Sequence, residues 1–392
     1  MTDQNAAILV VDDVAENRDL LLRRLKRLGF SHIDEAANGI EALAAIDQKP
    51  YDLVLLDIMM PELDGFGVLD RLRGDGRIND LPVIVVSALN EIEPVVRCIE
   101  LGADDFIFKP FNPTLLRARV LVTLEKKALR DRTRDELKRK QAELIEARTL
   151  QLALVPPPFA GRFAGRNLTI DVLLEPAKEV GGDLVDYFPV GDGRIVAIIG
   201  DVSDKGAGAA LMMARTHSMF RSLGTRPDAA ELFADPARAA GLVNDALARG
   251  NASCMFVTLL LAVVDVSAGM LTYVRAGHVP PYLRACDGTV SRLTAAGGPA
   301  LGVMEEFPYS AATVPLGAGE RLMVVTDGLT EAHDHAGDLY GEERVGAFLA
   351  ALGEEAAPLP RLAAAVRAFE AGLPAFDDMA ALLLTLDAPA AE

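Results

Sequence analysis

Four short aliphatic runs, at 8–11, 53–56, 83–86 and 106–108, constrain the first third of this chain more than any other feature, because each is too brief for a helix and stops at a charged or hydroxyl side chain. Runs with almost no polar interruption are what strands buried on both faces of a sheet look like. Between them Leu20, Leu21, Leu25 and Leu28, then Leu43 and Ile46, then Val95, Val96 and Ile99 recur at helical spacing. This alternation predicts a doubly wound α/β domain on a five-stranded parallel sheet over residues 1–122.

Open parallel sheets place their sites at the carboxyl ends of strands. Asp12 and Asp13 end the first strand, Asp57 the third, Ser87 the fourth and Lys109-Pro110 the fifth. Three carboxylates in one pocket repel unless a hard divalent cation joins them, and Mg²⁺ is the expected partner. A carboxylate nucleophile, a cation that gathers oxygens and donors that neutralise charge are the parts of a phosphoryl-transfer site, with Asp57 at its centre. The Lys109-Pro110 peptide is expected to be cis.

These residues, with Met60-Pro61-Glu62-Leu63-Asp64-Gly65, Ser87-Ala88 and Gly102-Ala103-Asp104-Asp105-Phe106, resemble the response-regulator receiver family. The resemblance implies an aspartyl phosphate on Asp57 donated by a histidine kinase or phosphotransfer protein. It also implies Mg²⁺ held by Asp12, Asp13, Asp57 and the Met59 backbone, and a switch made of Ser87, Phe106 and Lys109.

From Thr114 to Leu154 there is no glycine or proline, 125–148 is dense in interleaved charges, and Pro156-Pro157-Pro158 is a hard stop. One long helix follows, as a linker over 123–155. Leu137 and Leu144 lie one heptad apart, with Ala147 and Leu154 on the adjacent position, a pattern that suits a homodimeric coiled coil. Gln151 interrupts it, and a solvated connector helix competes with that reading.

Past residue 165 the runs lengthen (196–199, 256–264, 271–274, 322–325, 381–386) with Ala-rich helical blocks between them, which favours an α+β sandwich for 156–392. Four separated acid motifs stand beside glycines or strand ends: Gly181-Gly182-Asp183, Gly200-Asp201-Val202-Ser203, Thr326-Asp327-Gly328 and Phe376-Asp377-Asp378. Without a Cys/His cluster the donors are hard oxygens, which suits Mg²⁺ or Mn²⁺ over zinc. Two such ions can drive phosphomonoester hydrolysis without a covalent intermediate. Ser203 lacks a His–Asp pair to activate it as a nucleophile.

The same motifs, with 150–156 (LQLALVP), Glu175-Pro176-Ala177, Phe256-Val257-Thr258 and Ala276-Gly277-His278, resemble the PPM (protein phosphatase 2C-like) superfamily, in the stage II sporulation E branch that acts on anti-anti-sigma factors. The resemblance implies a sandwich of two central β-sheets flanked by helices. It makes Asp183, Asp201, Asp327 and Asp377 catalytic ligands of two Mn²⁺ or Mg²⁺, with the Val202 backbone and, as runner-up for the last position, Asp378. Asp204 and Ala380 depart from the family pattern, where a small residue and a threonine are usual. His278 reads as part of a structural turn, and Lys205 as structural or close to the phosphate. Gly181-Gly182-Asp183 also resembles the diguanylate cyclase signature, but Leu184-Val185 replaces its Glu-Phe.

Composition narrows the partners. A formal net charge of -18 argues against a nucleic-acid surface. No apolar run reaches the ~18–20 residues of a membrane helix, the polar start lacks a signal-peptide pattern, and Cys98, Cys254 and Cys286 share no metal spacing. A cytoplasmic protein with reduced thiols, binding neither nucleic acid nor membrane, is expected. Joined, the two resemblances imply a two-component response regulator that controls a phosphoserine/phosphothreonine phosphatase, with a phosphorylated anti-sigma-factor antagonist as substrate. The alternative is a phosphorylation-dependent signalling scaffold whose phosphatase-like domain does not turn over.

Overall fold

The computed structural model describes residues 5–87, 92–353 and 357–387, so Ala88 lies outside the described residues. The chain divides into two compact units, Met1–Lys140 and Gln141–Glu392. Among the described residues no helix is long and apolar enough to cross a membrane.

The first unit alternates β1 (Ile8–Val11), α1 (Ala15–Arg27), β2 (Ile33–Ala36), α2 (Gly39–Gln48), β3 (Leu53–Asp57), α3 (Gly65–Gly74), β4 (Val83–Ser87), α4 (Ile92–Glu100) and β5 (Asp105–Phe108). All five strands are parallel, in the order β2-β1-β3-β4-β5. Successive side chains of a strand point to opposite faces. Leu9 and Val11 of β1 therefore join Val54 and Leu56 in one core, while Ile8 and Val10 join Leu53 and Leu55 in the other. The register Val11↔Leu56 and Leu56↔Val85 brings the carboxyl ends of β1, β3 and β4 level. A Cβ on Gly65 would collide with the backbone of Asp57 and Ile58, so only glycine lets α3 start so close to the end of β3.

The helix α5 (Pro113–Leu152) follows, with proline in its first turn, where no amide is missed. Leu116, Val120 and Leu124 bury against Leu21 and Leu25 of α1. Further along, Leu129, Leu137, Ile145 and Leu150 are exposed and Leu144 is half-buried. One helix thus runs through most of the expected linker, starting ten residues before it, and the division between the two compact units falls inside that helix.

The second unit contains β6 (Phe159–Phe163), β7 (Arg166–Glu175), β8 (Leu184–Val190), β9 (Arg194–Val202), α6 (Ala207–Gly224), α7 (Ala229–Leu232), α8 (Pro236–Ala248), β10 (Val257–Asp265) and β11 (Met270–Ala276). It continues with β12 (Tyr282–Arg284), β13 (Val290–Arg292), β14 (Gly297–Gly298), β15 (Ala312–Pro315), β16 (Glu320–Val325), α9 (Asp327–Thr330), α10 (Gly341–Ala350), α11 (Leu359–Glu370) and β17 (Met379–Leu386). One sheet runs β14-β11-β10-β9-β8 with β15 beside β11, and the other β13-β12-β16-β17-β7-β6.

Alternation along single strands shows the layering. Ala380, Leu382, Leu384 and Leu386 of β17 meet Ile195, Ala197 and Ile199 of β9 between the sheets, whereas Met379, Ala381 and Leu383 turn to Leu359, Leu362 and Val366 of α11. On the far side Val196 and Ile198 of β9 pack on Met213 and Phe220 of α6 and Val243 and Leu247 of α8. Each fully buried aliphatic side chain contributes about 1.5–3 kcal/mol. The period-2 pattern therefore fixes both sheet faces at once. The unit is the expected sandwich of two sheets flanked by helices.

Candidate active sites

In the first unit the strand ends gather the acids that the sequence singles out. One carboxylate oxygen each from Asp12, Asp13 and Asp57 lies within 4.8 Å of the others; Asp12 and Asp57 are buried and Asp13 is exposed. Asp12 Oδ1 accepts from the Val14 amide and from Asn17 Nδ2, both at 3.0 Å, and Arg18 donates to the Asp12 carbonyl at 2.7 Å. Asp57 Oδ1 accepts from the Ile58 amide at 2.7 Å and, more weakly, from the Met59 amide at 3.4 Å. Lys109 Nζ bridges Asp57 Oδ2 at 2.6 Å and Asp12 Oδ2 at 2.7 Å.

The Lys109-Pro110 peptide is cis, and the Lys109 amide donates to the Ser87 carbonyl at 2.8 Å. Ser87 is buried at the end of β4. Phe106, half-buried on β5, meets Phe108 edge-on with centroids 5.1 Å apart. Burial raises the Asp57 carboxyl above the usual range against the opposing pull of Lys109. Burial works against the Lys109 charge, yet the two carboxylates together hold its ammonium above the ordinary lysine value. Three oxygens this close, with one ammonium among them, fit a hard divalent cation.

In the second unit Asp183 immediately precedes β8, Asp201 is the penultimate residue of β9, Asp327 opens α9, and Asp377 and Asp378 immediately precede β17. These elements come from both sheets, so the sandwich brings together acids nearly two hundred residues apart. Asp183 is buried, and its Oδ2 accepts from Thr326 Oγ1 at 2.7 Å; the same hydroxyl oxygen accepts from the Ala380 amide at 2.9 Å. Asp377 Oδ2 pairs with Lys205 Nζ at 2.8 Å. Among the described residues this is the one ion pair that these five acids make.

Asp378 behaves differently from its neighbour. Its Oδ1 accepts from the Ala177 amide at 2.7 Å and its Oδ2 from the Gly182 amide at 2.6 Å, so the carboxylate clasps the loop that leads to Asp183. Gly181 must be glycine because a Cβ would press into that carboxylate, and Gly328 because a Cβ would meet the Asp378 carbonyl. A second clasp comes from the end of α5. The buried Gln151 donates from Nε2 to the Gly181 carbonyl at 2.7 Å, and its Oε1 accepts from the Gly181 amide at 3.1 Å. The residue that interrupts the heptads therefore holds the acid-bearing loop.

Crowding of negative charge sets the electrostatics. Burial, then the field of Asp201, drives the Asp183 carboxyl well above the ordinary range, with Thr326 opposing. Burial and the charges of Asp327 and Asp377 push Asp201 up to about 7. Burial, Asp377 and Glu331 raise Asp327. Carboxyls that suppress one another's ionisation favour bound cations, and the donor set is wholly oxygen. A Cβ on Gly182 would stand 3.3 Å from the carbonyl oxygens of both Val202 and Asp204, so glycine lets the two loops approach. Among the described residues, however, only Asp12, Asp13 and Asp57 bring three ligand atoms within 4.8 Å; the acids of the second unit stand further apart.

The remaining candidates find structural partners. Ser203 Oγ accepts from the Phe256 amide at 3.0 Å. His278 is buried with Nδ1 on the Val279 carbonyl, and desolvation lowers its ring to about 4. Asp204 Oδ1 accepts from the Lys205 amide at 2.8 Å, and Ala380 fills the layer between the sheets. Sequence reasoning missed the grip of Thr326 and Gln151.

Fold and site together define a receiver domain joined to a protein phosphatase 2C-like domain. Residues 191–387 match Stage II sporulation protein E (SpoIIE), just over half of the chain, which therefore belongs to that family; residues 8–121 match the response regulator receiver domain. The SiaA-PP2C domain of Pseudomonas aeruginosa shares the fold at 23% identity and a TM-score of 0.54, over 64% of this chain and 99% of that one. Protein IcfG of Synechocystis sp. is 32% identical over 197 residues, 45% of this chain and 31% of IcfG. The probable transcriptional regulator ycf27 of Porphyridium aerugineum is 43% identical over 123 residues, 31% of this chain and 50% of that protein. The chain thus spans half or less of the length of these curated relatives.

Proposed function

We propose that this chain is a response regulator whose receiver, phosphorylated on Asp57, controls a metal-dependent phosphoserine/phosphothreonine protein phosphatase. The observation that carries the reading is the set of acids Asp183, Asp201, Asp327 and Asp377, drawn from both sheets of a SpoIIE-type domain, with the carboxyls of Asp183, Asp201 and Asp327 raised by burial and by the charge of neighbouring acids. These four, with the Val202 carbonyl, would hold two Mn²⁺ or Mg²⁺. When bound, the ions supply Lewis acidity for attack of water on a phosphomonoester. The chain's own residues set the geometry: Thr326 orients Asp183, while Asp378 and Gln151 fix the loop before it. Both oxygens of Asp378 are tied to backbone amides of the loop before Asp183, whereas Asp377 Oδ2 meets only the half-exposed Lys205 side chain, which favours Asp377 over Asp378 as the ligand.

In the receiver, Mg²⁺ would sit among Asp12, Asp13, Asp57 and the Met59 backbone. A histidine kinase or phosphotransfer protein would donate the phosphoryl group, and Ser87, Phe106 and Lys109 would respond to it. The exposed Leu129 and Leu137 of α5 support pairing of two copies along that helix. The substrate class that fits the SpoIIE family is a phosphorylated anti-sigma-factor antagonist, and the cytoplasm is the matching compartment.

The test presents such a phosphoprotein with Mn²⁺ to the wild type and to Asp201→Asn. The wild type releases phosphate, and the variant loses on the order of 100-fold or more. Equal release by both would overturn the mechanism, and no release by either would leave the scaffold reading standing.

A further inference from the structure

Where the acids of the second unit meet solvent, a lysine, an aromatic ring and an imidazole stand together. Lys205 Nζ donates to the Phe376 carbonyl at 2.9 Å, pairs with Asp377 at 2.8 Å and lies 5.1 Å from the centroid of the Phe376 ring. The His333 ring meets the same phenyl edge-on at 5.3 Å. Phe376 is 45% exposed and the Lys205 side chain 44% exposed, although the acids they border are largely buried.

An ammonium has three donors. One is spent on the Asp377 carboxylate and one on the Phe376 carbonyl, and the third has no acceptor among the described residues. Phe376 and its carbonyl, on the other side, keep the flexible four-carbon stem from swinging away. Such a cation at a carboxylate rim does two things. It offsets the charge that would repel a phosphomonoester dianion, and it presents a donor where the phosphoryl oxygens arrive. An exposed phenyl ring of no use to the core is also a surface on which apolar atoms beside a phosphoserine can rest.

We infer that Lys205 binds the phosphoryl group of the substrate and that Phe376 is the positioning residue that holds it there. The inference rests on the phosphatase reading of the same site and names the substrate contact within it.

The experiment uses the full chain loaded with Mg²⁺, with inorganic phosphate followed by isothermal titration and p-nitrophenyl phosphate followed by hydrolysis. Lys205→Met is expected to weaken phosphate binding and raise KM about tenfold, as loss of a charge-assisted hydrogen bond requires. Its Mg²⁺ half-saturation, followed by the same titration, is expected to shift by less than its phosphate affinity. Lys205→Arg restores most of the loss. Phe376→Ala shifts KM in the same direction with kcat unchanged, and Phe376→Tyr rescues it.

Unchanged phosphate affinity in Lys205→Met, with or without altered Mg²⁺ affinity, overturns the inference and reduces Lys205 to a counter-ion for Asp377. Weakened phosphate binding in a wild-type background that hydrolyses nothing would sink the phosphatase reading and leave Lys205 as a phosphate-binding residue. Normal turnover with unchanged phosphate affinity would sink this inference alone.

Discussion

Adjacent acids can hold opposite offices. Asp377 faces Lys205, while Asp378 spends both oxygens on backbone amides of the loop before Asp183. The sequence made both visible as an acid pair beside a strand but could not separate them, because the distinction lies in amides some two hundred residues away. His278 illustrates the same limit from the other side. Its glycine and proline neighbours marked a turn, and the structure buries the ring with a value near 4 against 6.5 for a free imidazole. The folded protein therefore binds fewer protons than the unfolded chain between those two values. Stability contributed by the neutral ring is complete above pH 6.5 and is lost as pH falls toward 4, on the order of 3 kcal/mol in total. Urea midpoints at pH 7 and pH 4.5 check this: His278→Gln should lose measurably less stability on acidification than the wild type.

Elements differed in how plainly the sequence announced them. Strands β1, β3 and β4 are buried on both faces and so read as unbroken aliphatic runs. β2, the edge strand with the sequence Ile33-Asp34-Glu35-Ala36, carries the charges that keep an edge from pairing with other chains and gave no such signal. The strands β12 to β15, two to four residues each, are too short for any period to show. The helix α5 was legible throughout, but Gln151 looked like a flaw in a heptad because its partner is the backbone of Gly181. Its two hydrogen bonds fix the approach to Asp183 as outer-shell partners fix metal ligands. Gln151→Ala should weaken Mn²⁺ binding roughly tenfold, read by calorimetric titration of the full chain. Wild-type affinity in that variant would mean that Asp378 alone positions the loop.

At the scale of the whole chain, the two acid sites share one polypeptide joined by α5, and the proposed coupling between them is an energy that an experiment can read. Beryllofluoride, which mimics an aspartyl phosphate, should change phosphatase turnover by about fivefold or more in the wild type and leave Asp57→Asn unaffected. Identical rates with and without it would mean that the receiver does not govern the enzyme. The order of the second sheet carries a different consequence. β17 lies between β16 and β7, and it directly follows Asp377 and Asp378. The first unit's sheet is complete by residue 108, but the second unit's central strand is made only after some two hundred residues of partners have waited for it. During synthesis the receiver sheet can therefore form well before the second unit's sandwich is complete, and a chain cut anywhere ahead of residue 377 loses part of the acid site and the middle of its sheet in a single event.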